Sequence, residues 1–150
     1  MLLALETATD RASVAVGRSE DDAVETNMAG ARRHAASILP MVSAALAEAG
    51  ATLEHLTAVV VSDGPGSFTG LRVGAAVAKA LVQARGLALW TAPSLLVRAA
   101  GADPCEGIVL AVSDALRGEI YAAAYRFAGG PIVTELAPMV CRPERLPGRI

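Results

Sequence analysis

Cysteine is scarce in this chain. Cys105 and Cys141 are the only two, and they lack Cys-x-x-Cys spacing. That argues against a disulfide framework and against a thiolate zinc site. Aromatics make up 3% of the residues, as Phe68, Trp90, Tyr121, Tyr125 and Phe127. A core must therefore be built from Ala, Val and Leu, which lets helices approach closely. Positive charge has no focus: the net charge is −2, and Arg32-Arg33 is the one adjacent basic pair. A nucleic-acid binder usually carries a basic stripe. His34 and His55 stand alone. The opening Met1-Leu2-Leu3-Ala4-Leu5-Glu6 has no basic n-region and meets a charge early, unlike a signal peptide. No apolar run approaches the roughly 18 residues of a membrane span. The expectation is a cytoplasmic protein with no membrane partner.

What is present is a 53% hydrophobic composition with strand and helix signals in alternation. Leu2–Leu5 and Ser13–Val16 read as strands joined by a polar turn, and Ala23–Met28 as a third. Ala35–Ala49 reads as a helix ending at Gly50, with Pro40 expected to kink it or to lie near its first turn. Thr57–Ser62 is a buried strand, Gly70–Arg85 a helix closed by Gly86, and Leu87–Thr91 another buried strand. Pro93 opens a helix to about Ala100. The pattern then restarts. Ile108–Val112 and Glu119–Phe127 are strands around the polar turn Ser113–Gly118. An apolar strand, an acidic turn containing Arg and a returning strand thus occur twice, as in a duplicated unit. The boundary is expected near Ala102-Asp103-Pro104, giving lobes 1–103 and 104–150, the second incomplete. The order of elements predicts a mixed α/β sheet with helices on its faces.

The most informative segment joins the Val59-Val60-Val61 strand to the next helix. It reads Asp63-Gly64-Pro65-Gly66-Ser67-Phe68-Thr69-Gly70-Leu71-Arg72. No Lys follows Gly70, so it is not a Walker A loop. Position 69 is Thr, which breaks the dinucleotide fingerprint. Pro65 and Thr69 replace the glycines of a nucleophile elbow around Ser67. Two readings stay open. The loop could receive a phosphate at the helix N-terminus, although Asp63 would repel it and Pro65 lacks an N–H. Or it could be a rigid connector from strand to helix. The turn at Glu6, Thr7 and Thr9 has the same two readings. Asp114 and Glu119 could serve as an acid–base pair or belong to turn and strand.

In the helix after this loop the polar side chains Arg72, Lys79 and Gln83 form, with Ala76, one narrow stripe spaced by four, three and four residues. The remainder is apolar or Gly, more than one sheet face requires. Ala35–Ala49 shows the same excess. Leu71, Gly74, Ala75, Ala78 and Val82, with Ala44, Ala45 and Ala47, are therefore expected to form a smooth patch for a partner helix. The alternative is that the two helices use these residues on each other and on the sheet.

These motifs together resemble the TsaB (YeaZ) family, whose members are needed to make threonylcarbamoyladenosine in transfer RNA. The likeness covers nearly the whole chain. It rests on Leu3-Ala4-Leu5-Glu6-Thr7-Ala8-Thr9, on His34…Ile38-Leu39-Pro40, on Gly64 through Gly74, and on Asp114-Ala115…Arg117-Gly118-Glu119-Ile120-Tyr121. Two departures stand out: many members have Asp at the place of Glu6, and the last motif has its Arg displaced by one residue.

The resemblance implies an actin-like, ribonuclease H-type α/β fold in duplicated lobes, with Glu6, Thr7 and Thr9 where kinases of this fold touch phosphate. It implies a non-catalytic scaffold supporting a TsaD-type catalytic subunit, with a TsaE-type ATPase as a further partner and pairing with itself when alone. The catalytic relative carries a metal-binding His-x-x-x-His pair. The corresponding stretch here, Thr91-Ala92-Pro93-Ser94-Leu95-Leu96-Val97-Arg98, has no His, so no metal and no catalytic residue are expected. No cofactor of its own is implied, with ATP or ADP a candidate at the interface with the catalytic subunit. No direct tRNA binding is expected. The alternatives are a small ATP-dependent phosphotransferase or metal-dependent enzyme of the same fold, or a peptidase of the M22 type under which the family was formerly labelled. No Ser/His/Asp or His-Glu-x-x-His arrangement supports the peptidase.

Overall fold

The computed structural model describes residues 1–19, 21–30, 34–102 and 106–146. Arg32, Arg33, Cys105, the expected boundary at 103/104 and Ile150 lie outside them, as does the side chain of His34. The chain divides into two compact units, residues 1–63 with 67–92, and residues 64–66 with 93–150.

The first unit holds strands β1 (Leu2–Glu6), β2 (Arg11–Gly17), β3 (Val24–Ala29), β4 (Ala58–Ser62) and β5 (Ala88–Ala92), with helices α1 (His34–Glu48) and α2 (Phe68–Arg85). The sheet order is β3-β2-β1-β4-β5. β1, β2 and β3 pair antiparallel, while β4 runs parallel to both β1 and β5. The register puts Leu3 beside Val16 and Val59, and Leu5 beside Val14 and Val61. These six form one buried row set under the helices. Burial of each such side chain stabilises the fold by roughly 1.5–3 kcal/mol. α1 supplies Ile38, Met41, Val42, Ala45 and Leu46 to this core, the i, i+3, i+4 pattern of one helix face. Pro40 lies inside α1 on its exposed side.

α2 begins at Phe68, two residues before the expected start, because Ser67 caps it: its Oγ accepts the Gly70 N–H at 3.2 Å. Gly86 ends it in the left-handed conformation at φ 65°. Arg72, Ala76, Lys79 and Gln83 are all exposed, as their spacing predicts. Gly74 and Ala78, however, are buried, and so is Ala45 of α1. They belong to the core, so the expected partner patch loses its centre. Val82 packs against the same core. Ala44 and Ala47 are exposed, and Leu71 and Ala75 are half-buried. The physical reason is that α1 and α2 are neighbours on one sheet face, so their small residues are used between each other and on the strands.

β5 also departs from expectation. It is an edge strand with Leu89 41% and Trp90 63% exposed, not a buried one.

The second unit contains α3 (Ser94–Ala100) and the antiparallel meander β6 (Gly107–Leu116), β7 (Glu119–Phe127) and β8 (Val133–Cys141). Leu95 and Ala99 pack on Ala111, Ala123 and Tyr125. α3, assigned from sequence to the first lobe, therefore belongs here. β6 runs through most of the expected polar turn, and the hairpin reverses at Leu116, Arg117 and Gly118, all with positive φ. β8 escaped the sequence reading because Pro138 interrupts it. Ala122 pairs with Met139 and Ala124 with Leu136, so Pro138 falls at a register shift, where a missing N–H costs no ladder bond.

Candidate functional site

The glycine motif and the β1–β2 turn are the places where the sequence suggests chemistry. Within the first unit they meet. Thr7 is fully buried, and its Oγ1 donates to the Gly70 carbonyl at 2.9 Å. The Ser67 N–H donates to the Ala8 carbonyl at 2.7 Å. A Cβ on Gly70 would overlap the Thr7 carbonyl oxygen, and one on Gly74 would overlap the Thr7 Oγ1. Both glycines are thus required by close approach of helix to turn, without any ligand. Thr9 is equally occupied: its Oγ1 donates to the Arg11 carbonyl at 3.0 Å and accepts the Arg11 N–H at 3.1 Å. Glu6 Oε1 accepts from the Ala8 N–H at 2.5 Å and from Ser62 Oγ at 3.0 Å. Its Oε2 is buried with no hydrogen-bond partner among the described residues.

The Asp63 N–H donates to the Ala92 carbonyl at 3.1 Å, holding β4 to β5. In the second unit Gly64 and Ser94 bond reciprocally. The Gly64 N–H donates to Ser94 Oγ at 3.1 Å, and the Ser94 N–H donates to the Gly64 carbonyl at 2.8 Å. The Gly64–Pro65 peptide is cis. The backbone donors of Asp63, Gly64, Ser67 and Gly70 are therefore spent on the fold. The Arg72 guanidinium lies 5.4 Å from the centre of the Phe68 ring. Thr69 and Phe68 are exposed on the first turn of α2. These bonds tie the loop to the β1–β2 turn, to β5 and to α3, and the loop carries the exposed Asp63 carboxylate.

Elsewhere, Asp114 Oδ1 accepts the Leu116 N–H at 2.7 Å, so Asp114 acts as a turn residue. Glu119 opens β7 opposite Leu116, with no acid–base contact to Asp114 given by that pairing. His55 accepts the Thr52 N–H at Nδ1, 3.0 Å away, closing a short 3-10 turn. Cys141 is buried as a free thiol. Among the described residues no group of three or more His, Cys, Asp or Glu is placed to hold a metal. No helix among them is long and apolar enough to cross a membrane.

One feature was missed from sequence. Between α2 and the exposed edge of β5 lies a groove of about 280 Å³, lined by Val61, Asp63, Leu71, Ala75, Lys79, Leu89 and Thr91 among others. Its signal was legible only in retrospect, as a Leu-Trp-Thr strand following a helix with half-apolar flanks.

Comparison with known proteins adds the family. Residues 27–149 match the family model described as TsaD, tRNA N6-adenosine threonylcarbamoyltransferase. An uncharacterised protein of Mycobacterium tuberculosis is 43% identical over 126 residues, 83% of this chain and 58% of that protein. The tRNA threonylcarbamoyladenosine biosynthesis protein TsaB of Escherichia coli is 38% identical over 128 residues, 83% of this chain and 54% of its own length. The structure of YeaZ from Pseudomonas aeruginosa superposes with a TM-score of 0.87 at 33% identity, covering 97% of this chain and 68% of that one. The chain thus spans little more than half the length of these curated relatives, and its mixed α/β architecture is the actin-like one.

Proposed function

This chain belongs to the TsaB (YeaZ) family, and from that membership we propose that it takes part in forming threonylcarbamoyladenosine in tRNA as a non-catalytic scaffold for a TsaD-type catalytic subunit. The observation that carries the scaffold reading is the occupied loop. The Thr7 and Thr9 hydroxyls, the Ser67 hydroxyl and the N–H groups of Gly64, Ser67 and Gly70 serve the fold, which removes the threonine hydroxyls and these N–H groups as donors to a phosphate. Phosphoryl transfer relies on positioned donors and cations around the phosphate, and Glu6 and Asp63 supply the opposite charge.

The contact surface for the catalytic subunit must be redrawn from the residues that are exposed. On α1 these include Leu39, Ala44 and Ala47, and on α2 Phe68, Arg72 and Ala76. Leu39 is 54% and Phe68 73% exposed, high for large apolar side chains. Any ATP or ADP in the complex belongs, on this reading, at the interface between the two subunits, and a TsaE-type ATPase acts on that assembly. The test is affinity capture with the catalytic subunit of the same cell. Parent chain should retain it, and Phe68→Asp with Leu39→Asp should not. Equal retention would overturn the surface, and no retention by the parent would overturn the partnership.

A further inference from the structure

The edge of β5 offers main-chain groups that the scaffold role does not use. The Ala88 N–H donates to the Thr57 carbonyl and the Ala92 carbonyl accepts the Asp63 N–H, both at 3.1 Å. Ala88, Trp90 and Ala92 therefore turn their backbone toward β4. The alternation along a strand then turns the N–H and C=O of Leu89 and Thr91 outward. Edge strands are commonly blunted by charge, proline or a bulge. Ala88-Leu89-Trp90-Thr91-Ala92 has none of these, and its register with β4 is unbroken. Leu89 and Thr91 share the α2 face with Val59 and Val61 and wall the groove there. Trp90 stands on the opposite face, beside Val60.

Two unspent charges stand at this groove. Asp63 follows β4 and bonds through its N–H to the Ala92 end of β5. A Cβ on Gly74 would meet Val61 at 3.3 Å, so this turn of α2 is level with Val61 and its ladder partner Thr91. α2 runs back along the strands, and its next five residues advance about 7.5 Å, or about two strand residues. Lys79 therefore comes level with Leu89. Both side chains are exposed, and neither forms a salt bridge among the described residues. Between them the groove is walled by Leu71, Ala75 and Leu89. The edge thus presents a negative end, an apolar middle and a positive end. Asp63 and Lys79 are separated along the strands by on the order of 10 Å. A compact zwitterion spans less than that and leaves Trp90 and the outward backbone groups unengaged. An extended strand engages all of them.

We propose that β5 receives an extended segment of a partner protein as an added antiparallel strand, of the pattern basic-x-apolar-apolar-acidic from its N-terminus. Antiparallel pairing is the more stable ladder per residue, and the charges fix the pattern in that direction. The first apolar residue exchanges backbone bonds with Thr91, and the acidic residue does so with Leu89. The first apolar side chain enters the groove beside Leu71 and Ala75. The acidic one meets Lys79, and the basic one, two residues before the groove, meets Asp63. The second apolar residue lies across from Trp90 at a non-hydrogen-bonded position, where side chains approach closest. This contact is separate from the α1–α2 surface assigned to the catalytic subunit, and either can fail without the other.

Trp90 is the only tryptophan in the chain and is 63% exposed, so its fluorescence reports the contact. The probe is the peptide Arg-Thr-Val-Ile-Glu, acetylated and amidated at its ends. Titrated into the 150-residue chain, it should shift the Trp90 emission to the blue and saturate below about 1 mM. N-methylation of the peptide at Val removes a bond to β5 and should abolish the shift. N-methylation at Ile, whose N–H points to solvent, should leave it. Exchanging Arg and Glu in the peptide should weaken binding by about tenfold. Asp63→Lys combined with Lys79→Glu should reverse that preference. Absence of a saturable shift overturns the proposal. So do equal effects of the two N-methylations, which would mean that no ladder forms. Equal affinity for the two charge orders overturns the assigned pattern, and this arm needs no variant to fold. An emission shift that follows the chain's own concentration without peptide gives the edge to a second copy and also overturns the proposal.

Discussion

Thr7 and Gly70 are locked together: the Thr7 hydroxyl bonds the Gly70 carbonyl, and the Gly70 Cα faces the Thr7 carbonyl with no room for a side chain. Gly70→Ala forces turn and helix apart and should cost about 1–3 kcal/mol, at the upper end because the obstacle is backbone. Thr7→Val keeps the shape but removes one buried donor, and should cost on the order of 1 kcal/mol. Urea midpoints at a fixed slope measure both. A neutral Gly70→Ala would mean that the loop can yield and is not the rigid connector described above.

Ala78 and Ala76 lie two residues apart on α2 and differ completely in surroundings. Ala78 is fully buried and Ala76 is exposed. Ala78→Arg places an unpaired charge in the core and should cost more than about 3 kcal/mol or prevent folding. Ala76→Arg should stay within about 0.5 kcal/mol of the parent. Thermal unfolding of the two variants separates them. A stable Ala78→Arg chain would restore the small-residue patch as a surface.

Much of the architecture could be read from periodicity. The alternation in Leu2–Leu5 and Ser13–Val16 and the stripe of Arg72, Lys79 and Gln83 are local signals, and the structure follows them. What failed depends on neighbours that spacing does not reveal. Whether Gly74 faces a partner or Thr7 depends on where the β1–β2 turn comes to lie. Whether β5 is central or at an edge depends on strand order. β8 was hidden because proline in a run reads as a break, although a bulge accommodates it. At the candidate site the Thr7 hydroxyl and the Gly64 and Ser67 N–H groups are committed to tertiary bonds that no sequence pattern announces.

Asp22 holds the β2–β3 connection by accepting from the Ser19 and Arg18 N–H groups. Those backbone bonds, that of Ser19 first, keep its carboxyl below the ordinary value of 3.8. A lowered folded value gives stability that is present above the unfolded value and lost as pH falls through the folded one. Amide exchange at Arg18 and Ser19 should therefore stay protected at neutral pH and gain openings only in acid below the usual carboxylate range. Asp22→Asn should remove that pH dependence. Unchanged protection down to the lowest pH would show that the carboxylate does not hold this turn.

Binding of tRNA by the lone chain should be weak or absent at physiological salt. Arg18 is paired with Asp22 and Arg126 with Glu135, which leaves them less able to release phosphate counterions. A gel-shift titration checks this. Micromolar or tighter binding that weakens steeply with salt would require RNA recognition to be added to the chain's role.

Reconstitution tests the scaffold account most directly. Nucleoside mass spectrometry would follow threonylcarbamoyladenosine in tRNA incubated with a TsaD-type catalytic subunit, its required substrates and a TsaE-type ATPase, with and without this chain. The account predicts no product from this chain alone, little without it, and clear formation when all are present. It also predicts that Thr9→Ala supports formation as well as the parent does. Product from this chain without the catalytic subunit, or equal product in its absence, would contradict the account.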